Sequence, residues 1–262
     1  MKNNQKLEQQ KASKGCLIVA FDTDEVLYTK QAVEAANRVE QFLKIPVSIV
    51  TDKPLETKHD VIITPRPQNN RRAPKEKRAT DWYNLVRTKL YDISPYDRTL
   101  VIDSDFYIST SNLRAVFQSQ SDFLITTELY DLVKGRLYVE KIEASPIIMV
   151  WATVMIFNKS KEAHDIFELA KLVQQNYRFY SNLYNFREKP VRNDYIFSIA
   201  CHLIGGYGQK SYAIKNYPLV NCDSKVKYKS YDGNKLVYYY EGLANLNSIS
   251  GVDLHLMNKD EL

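Results

Sequence analysis

The chain has 262 residues, of which 44% are hydrophobic and 26% are charged, a composition typical of a globular protein with a sizeable core. The formal net charge of +5 is compatible with a nucleotide diphosphate, a nucleic acid or an anionic surface as partner, but excludes the dense basic face of a DNA-packaging protein. The cysteines (Cys16, Cys201 and Cys222) follow no zinc-ligand or redox spacing, so we expect reduced thiols.

The amino-terminal segment is polar, and residues 1–14 are expected to form a flexible arm. The first apolar run, Cys16–Phe21, is too short for a signal peptide or a membrane span. We therefore expect a cytoplasmic protein without a membrane span. Because no internal repeat and no linker composition follows, residues 15–262 are expected to form one domain.

Along the first quarter of the chain, the apolar pattern changes from strand to helix and back. Cys16–Phe21 is a continuous apolar run typical of a buried parallel strand, and apolar residues at helical spacing follow from Thr29 to Leu43. Further strands are predicted at Val47–Val50 and Val61–Ile63. This opening predicts a doubly wound α/β sheet whose ligand loops lie at the carboxyl ends of the strands.

The remaining elements alternate in the same way. The predicted strands are Thr99–Ile102, Phe123–Thr126, Val150–Phe157 and Leu236–Tyr240, and the predicted helices are Trp82–Tyr91, about 160–177 and 193–204. The segment 64–78 is rich in proline and basic residues, which fits either a basic loop over an anionic substrate or a solvated surface loop.

An acidic triplet, Asp103-Ser104-Asp105, follows the buried strand directly. Such a triplet alone is weak evidence, since Asp22-Thr23-Asp24 also fits the pattern. Two carboxylates at the carboxyl end of a central strand, however, project into the crevice where α/β proteins bind ligands. Carboxylate oxygens suit Mg²⁺ or Mn²⁺ and leave positions open for phosphate and water. We therefore predict a metal and diphosphate motif here.

The stretch KLYDISPYDRTLVIDSDFYISTSNLRAVF, residues 89–117, resembles the core of nucleotide-diphospho-sugar glycosyltransferases of the GT-A type, in particular the glycogenin and lipopolysaccharide galactosyltransferase group. Ala152–Asn158 is similar to a strand that forms part of the sugar floor in that family, although Trp151-Ala152-Thr153 stands where many relatives have Asn-Ala-Gly. The resemblance implies an α/β fold, namely a single GT-A (Rossmann-like) domain with a mixed central sheet and flanking helices.

A third similarity lies at Asp253–Lys259, which resembles the family's His-x-x-Gly-x-x-Lys motif but lacks the glycine and has a shorter spacing. The resemblance implies that Asp105, His255 and Asp103 hold Mn²⁺ or Mg²⁺, with Asp105 taking part in catalysis through the metal. It also implies that Lys259 contacts the diphosphate of a nucleotide-sugar donor, with UDP as the expected nucleotide.

The remaining donor contacts implied by the resemblance come from loops. Ser104 belongs to the diphosphate motif, and Arg78 of the basic loop is expected to assist the departing diphosphate. The base and ribose are expected at the ends of the first two strands, which carry Ala20, Phe21, Asp22, Thr51 and Asp52.

Asp194 lies just before the apolar helix IFSIACHLI, where relatives place an acidic residue that faces the donor sugar or the acceptor. A carboxylate here is either a general base for inverting transfer or a stabiliser of positive charge on the sugar in retaining transfer. Alternatively, Asn193-Asp194 is suited to cap the helix amino terminus.

Two other classes compete with a glycosyltransferase. Nucleotidylyltransferases share this kind of core, but the segment VAFDTDEVLY, residues 19–28, lacks their glycine-rich phosphate loop. Basic charge and 19 tyrosines also fit a non-catalytic nucleic-acid-binding protein. For a transferase the acceptor stays open between a glycan, a protein and a hydroxymethylated base in DNA.

Overall fold

The computed structural model describes residues 13–70, 81–186, 190–222, 226–240 and 246–257. The strands are β1 (Lys14–Val19), β2 (Val47–Thr51), β3 (Asp60–Ile63), β4 (Arg98–Asp103), β5 (Phe106–Tyr107), β6 (Phe123–Thr126), β7 (Glu128–Asp131), β8 (Arg136–Val139), β9 (Trp151–Asn158), β10 (Leu219–Cys222), β11 (Val226–Tyr231), β12 (Lys235–Tyr240), β13 (Asn247–Ser250) and β14 (Leu254–Leu256). The α-helices are α1 (Tyr28–Leu43), α2 (Leu90–Ile93), α3 (Asn112–Phe117), α4 (Lys161–Gln175), α5 (Tyr177–Leu183) and α6 (Asn193–Ile204), and a 3-10 helix spans Leu85–Lys89.

The central sheet has six strands in the order β3-β2-β1-β4-β9-β6. Strands β3, β2, β1 and β4 are parallel to one another, whereas β9 is antiparallel to both β4 and β6. The predicted α/β fold with a mixed central sheet and flanking helices is therefore confirmed. Strand β2 lies on one side of β1 and β4 lies on the other, so the strand order reverses at β1. Such a reversal creates a crevice between the carboxyl ends of β1 and β4.

Alternate residues of the buried strands enter two separate cores, one on each face of the sheet. In β1, Leu17 and Val19 pack with the residues of α4 and α6, whereas Cys16 and Ile18 pack with those of α1 and α3. Covering both faces requires apolar side chains at every strand position, which explains the uninterrupted apolar runs in the sequence.

A second sheet of five strands, in the order β5-β14-β10-β7-β8, is assembled from the later part of the chain. Within it β14 pairs antiparallel with β5, so that His255 lies opposite Phe106. The buried carboxylate of Asp253, just before β14, accepts hydrogen bonds from the backbone N–H groups of Ser109 and Thr110 at 2.7 and 2.9 Å. These bonds fasten the carboxyl-terminal strand to the segment that follows the acidic triplet.

Strands β11, β12 and β13 form a separate antiparallel sheet. Its inner face, which includes Val226, Leu236 and Tyr238, packs on the second sheet. The buried Arg38 of α1 donates to Ser109 Oγ at 2.9 Å and to the carbonyl oxygen of Gly233, which joins the tip of this sheet to the central domain.

Several sequence-based boundaries need correction. The predicted helix Trp82–Tyr91 is a 3-10 helix followed by the short helix α2, and Trp82 itself is not helical. The β-branched residues Val86 and Thr88, together with the lack of a side-chain cap, account for a poor α-helix at this point. Strand β1 already begins at Lys14, within the predicted arm, and residues 1–12 lie outside the described part of the chain.

Within the described ranges, no helix combines the length and the apolar character that crossing a membrane would require.

Gly15 is buried where β1 passes beneath the ring of Tyr96. A Cβ at position 15 would lie 2.3 Å from Tyr96 Cζ, and the Tyr96 hydroxyl is held at 2.8 Å from Ser48 Oγ. We expect Gly15→Ala to lower the free energy of unfolding by roughly 1–3 kcal/mol, because the ring must shift. Urea denaturation measures the change. In a Tyr96→Ala background the same substitution should cost much less, and an equal cost in both backgrounds would show that Tyr96 is not the obstacle.

Candidate functional site

Three potential metal ligands converge at the crevice beside β4. Asp103 ends β4, Asp105 lies in the turn before β5, and His255 is the middle residue of β14. His255 Nε2 lies 3.9 Å from Asp103 Oδ2 and 3.4 Å from Asp105 Oδ2, and the ligand atoms of all three residues lie within 4.8 Å of one another. The structure thus brings the predicted ligand His255 next to Asp103 and Asp105, from which it is far removed in the sequence.

The spacing of these atoms fits one octahedral divalent cation. For metal–oxygen distances of ~2.1 Å, neighbouring ligand atoms lie about 3 Å apart and opposite ones about 4.2 Å apart. The observed separations approach these values and require only small side-chain adjustments. Two carboxylates and one imidazole leave about three positions for oxygen atoms of other molecules.

Asn221 of β10 determines the orientation and the tautomer of the His255 imidazole. Its Oδ1 lies 2.9 Å from His255 Nδ1, because the two residues are register partners on adjacent parallel strands. With this amide oxygen facing the ring, Nδ1 carries the proton and donates, while the lone pair of Nε2 points toward the carboxylates. Burial lowers the pKa of His255, although the charge of Asp103 opposes this effect. The neutral ring is the form that binds metals.

Arg87 is the counter-charge of the site. It is buried on the 3-10 helix and donates to Asp103 Oδ1 and to the carbonyl oxygen of Ala152. Burial acts to raise the pKa of Asp103, but the charge of Arg87, with side-chain hydrogen bonds from Arg87 and Thr153, holds that pKa below its usual value. Asp103 is therefore ionised, with Oδ2 turned toward His255.

Asp194 lies in the first turn of α6, next to β9. Its Oδ1 accepts from the backbone N–H of Ala152 at 3.0 Å, and its Oδ2 accepts from Arg192 Nε and Nη2 at 3.1 and 2.6 Å. The cap position of α6 is Arg192, and no side chain caps the helix, so the capping alternative for Asp194 is wrong. The charge of Asp194 also acts to raise the pKa of His255, against the larger effect of burial.

The end of β1 continues into the crevice through Ala20 and Phe21, which are both buried. Asp22 follows, and its carboxylate accepts from Thr29 N at 2.8 Å, from Thr29 Oγ1 at 2.9 Å and from Lys53 Nζ at 2.5 Å. Burial acts to raise the pKa of Asp22, but these donors hold it below its usual value. Both oxygens of Asp22 are thus engaged, and Asp22 ties the start of α1 to the loop after β2.

The end of β2 carries buried polar atoms with no partner among the described residues. Thr51 Oγ1 and Asp52 Oδ1 are both buried without a hydrogen-bond partner among the described residues. The other carboxylate oxygen, Asp52 Oδ2, accepts from Arg66 Nε at 2.5 Å. Buried polar atoms are normally satisfied, so these two are available to a ligand or to water. Their position next to β1 agrees with the predicted nucleotide-binding edge.

Of the three remaining predicted donor contacts, only Ser104 lies in the described part of the chain. Ser104 is buried between the two aspartates of the triplet. Arg78 and Lys259, predicted to contact the diphosphate, both lie outside the described residues.

Two residues of this site were missed in the sequence. Arg87 belongs to the segment just before the acidic strand, and nothing in the sequence separates it from the nearby basic residue Lys89. Only the structure shows that Arg87 is buried and contacts Asp103. Asn221 had no signal at all, because its role depends on the pairing of β10 with β14.

Comparison of the structure with solved structures finds glycosyltransferases. GlyE of Streptococcus pneumoniae aligns with 12% identity over 78% of this chain and 46% of its own, with a TM-score of 0.45. The galactosyltransferase LgtC, solved with donor and acceptor sugar analogs, aligns with 16% identity over 71% and 70% (TM-score 0.46). Mouse xyloside xylosyltransferase 1 aligns with 13% identity over 74% and 83% (TM-score 0.44).

The chain spans less than half of the length of the GlyE chain. No protein-family model matches this sequence, and no curated protein matches it either.

Replacing Asn221 should weaken metal binding without removing a ligand. We expect Asn221→Ala to lower the affinity for Mn²⁺ by about 10–100-fold, because His255 loses the acceptor that orients its ring. Calorimetric titration with Mn²⁺ measures the change. The matched control is Asn182→Ala, at an exposed position of α5. An Asn221→Ala affinity equal to that of the control would contradict the orienting role.

Proposed function

We propose that this protein is a metal-dependent glycosyltransferase that moves a sugar from a nucleoside-diphosphate sugar to a hydroxyl acceptor. The observation that carries the proposal is the convergence of Asp103, Asp105 and His255 at the carboxyl end of β4. These ligands lie at the point where the strand order reverses, which is where open α/β sheets bind nucleotides. The resemblance in the sequence points to the same chemistry.

Different residues along the crevice would bind the cation and orient its ligands. Asp103, Asp105 and His255 would hold a divalent cation, Mn²⁺ or Mg²⁺, which would supply positive charge to stabilise the departing diphosphate. Arg87 keeps Asp103 ionised and fixed through Oδ1. Asn221 keeps Nε2 of His255 unprotonated and directed at the same point.

The nucleotide, which we propose to be uridine diphosphate, would lie across the ends of β1 and β2. The unpartnered Thr51 Oγ1 and Asp52 Oδ1 support this placement. Asp22 has both oxygens engaged by Thr29 and Lys53, so its contribution is to shape the loop and to add negative charge near the ribose hydroxyls. The contacts of Arg78 and Lys259 with the diphosphate remain predictions from the sequence.

Asp194 would act on the sugar rather than on the diphosphate. Its carboxylate accepts from the N–H of Ala152, which holds it in a defined orientation. The carbonyl oxygen of Ala152 accepts from Arg87, and Arg87 also binds Asp103. A fixed negative charge at this place stabilises positive charge that develops on the sugar ring during transfer. To accept a proton from the acceptor hydroxyl, Asp194 would have to exchange a contact with Arg192.

The donor class is tested by calorimetric titration of UDP, GDP and CDP into the full chain, first with Mn²⁺ and then with EDTA. We expect micromolar binding of one nucleotide, UDP, that requires Mn²⁺, because a cation held by the three protein ligands would supply positive charge to the diphosphate. Asp105→Ala should abolish this binding while the circular dichroism spectrum and the melting temperature show a folded protein.

Glu168→Gln, on the exposed side of α4, serves as the control and should bind UDP as the wild type does. Metal-independent binding, or unchanged binding by Asp105→Ala, would overturn the site assignment. Absence of binding by all three nucleotides in both conditions would overturn the transferase proposal.

A further inference from the structure

Helices α4 and α5 form one almost continuous helical path. Asn176 alone separates them, and helical hydrogen bonds cross the junction: Asn176 N donates to Leu172 O at 3.0 Å, and Tyr180 N donates to Asn176 O at 3.2 Å. The side of this path that faces the protein carries the buried residues Val173 and Tyr177, four positions apart, which pack in the core. A surface helix that packs by one such stripe normally carries polar residues on its other side.

The solvent side of the same path instead carries a second apolar stripe, which we call the α4–α5 stripe: Leu172, Phe179 and Leu183. Their exposed fractions are 47%, 63% and 59%. Because they are spaced seven and four residues apart, they lie on one side of the helical path. This is the spacing with which the apolar side of a helix packs on a partner. The stripe is therefore a packing surface that this chain leaves exposed.

Tyr207 extends this apolar surface. Its ring centre lies 5.7 Å from that of His202, and the His202 ring lies 6.0 Å from that of Tyr184, which directly follows the α4–α5 stripe. Tyr207 is 75% exposed and has a φ of 60°, between Gly206 and Gly208, whose φ values are also positive. The left-handed region is unfavourable for a residue with a Cβ, so the loop holds this tyrosine in solvent at an energetic cost.

The exposed apolar area matches that of a stable interface. With about 200 Å² for an aromatic side chain and somewhat less for leucine, the exposed fractions of the α4–α5 stripe and Tyr207 amount to roughly 450 Å². An interface of standard size takes about 800 Å² from each partner, of which about 57% is apolar, which is again about 450 Å². The surface therefore suffices for one stable interface.

The charge of this surface favours a second copy of the chain as the partner. Among residues 172–186 only Arg178 is charged, and the exposed polar residues include Gln175 and Asn185. A two-fold axis brings identical groups together, so a nearly uncharged surface avoids repulsion between like charges. An amide both donates and accepts, so it can bind the same group of another copy. An anionic membrane or a nucleic acid requires several cations, which residues 172–186 do not supply.

We propose that the α4–α5 stripe and Tyr207 form the interface of a two-fold symmetric dimer of this chain. Each copy contributes the same surface, so that Phe179 and Leu183 of one copy pack against the helical path of the other. The interface lies toward the carboxyl-terminal end of α6, which carries His202, whereas Asp194 lies in the first turn of that helix. These two residues are eight positions apart, or about 12 Å along the helix. The interface therefore leaves the crevice accessible, and the proposal does not depend on the proposed function.

Sedimentation-equilibrium ultracentrifugation of the full chain across the micromolar range tests the dimer. We expect the mass of two chains. Phe179→Glu and Leu183→Glu should each raise the dimer dissociation constant at least tenfold, because the new carboxylate would be buried against an apolar surface. Leu137→Glu is the matched control, since Leu137 of β8 is also exposed, at 53%, and lies outside the proposed interface. This variant should dimerise as the wild type does.

The substituted side chains are exposed, so circular dichroism should show that each variant is folded. Tyr207→Ala, which changes neither helix, should also weaken the dimer and serves as an independent variant. Four results would overturn the proposal: the mass of one chain at every concentration, a mass that rises beyond two chains, a dimer that persists in all three interface variants, or equal dissociation by Leu137→Glu. Binding of a monomeric wild type to phosphatidylserine vesicles that is lost in Phe179→Glu would assign the surface to a membrane instead.

Discussion

The site depends on one pairing of main chain: β14 lies antiparallel to β5, with the backbone N–H of Leu256 donating to the carbonyl oxygen of Asp105 at 2.9 Å. This pairing places an imidazole from the end of the chain beside two carboxylates from its middle. Asp253 strengthens it by accepting from two backbone groups of the segment after β5. The cluster of ligands is therefore a product of sheet formation rather than of loop flexibility.

Gathering negative charge at a partly buried place is unfavourable unless it is compensated. Here the compensation comes from Arg87, which has little solvent exposure and contacts both Asp103 and the carbonyl oxygen of Ala152. The backbone N–H of the same residue, Ala152, donates to Asp194. The backbone of one residue thus connects the carboxylate proposed to bind the metal, through Arg87, with the carboxylate proposed to act on the sugar.

The sequence predicted the elements that are defined by local pattern, and it missed those defined by long-range pairing. The apolar runs located β1, β2, β4 and β9, and helix α6 has the bounds that were predicted. Strands β5 and β14 have two and three residues, too few for any periodicity to be seen. His255 was found through resemblance, whereas Asn221, which orients it, was not found because only the parallel pairing of β10 with β14 makes the two neighbours.

The two Asp-x-Asp triplets show why spacing alone does not identify a metal site. Asp22 also follows a buried parallel strand, at the same end of the sheet as Asp103. Its carboxylate is nonetheless occupied by the first turn of α1 and by Lys53. Arg87 donates to Oδ1 of Asp103, and the other oxygen, Oδ2, faces His255. The two triplets differ in whether another strand supplies a further ligand beside them. Strand β14 supplies His255 beside Asp103 and Asp105 because β14 pairs with β5. A chain that kept both triplets but lost that pairing would therefore keep the edge proposed to bind the nucleotide and lose one ligand of the proposed metal site.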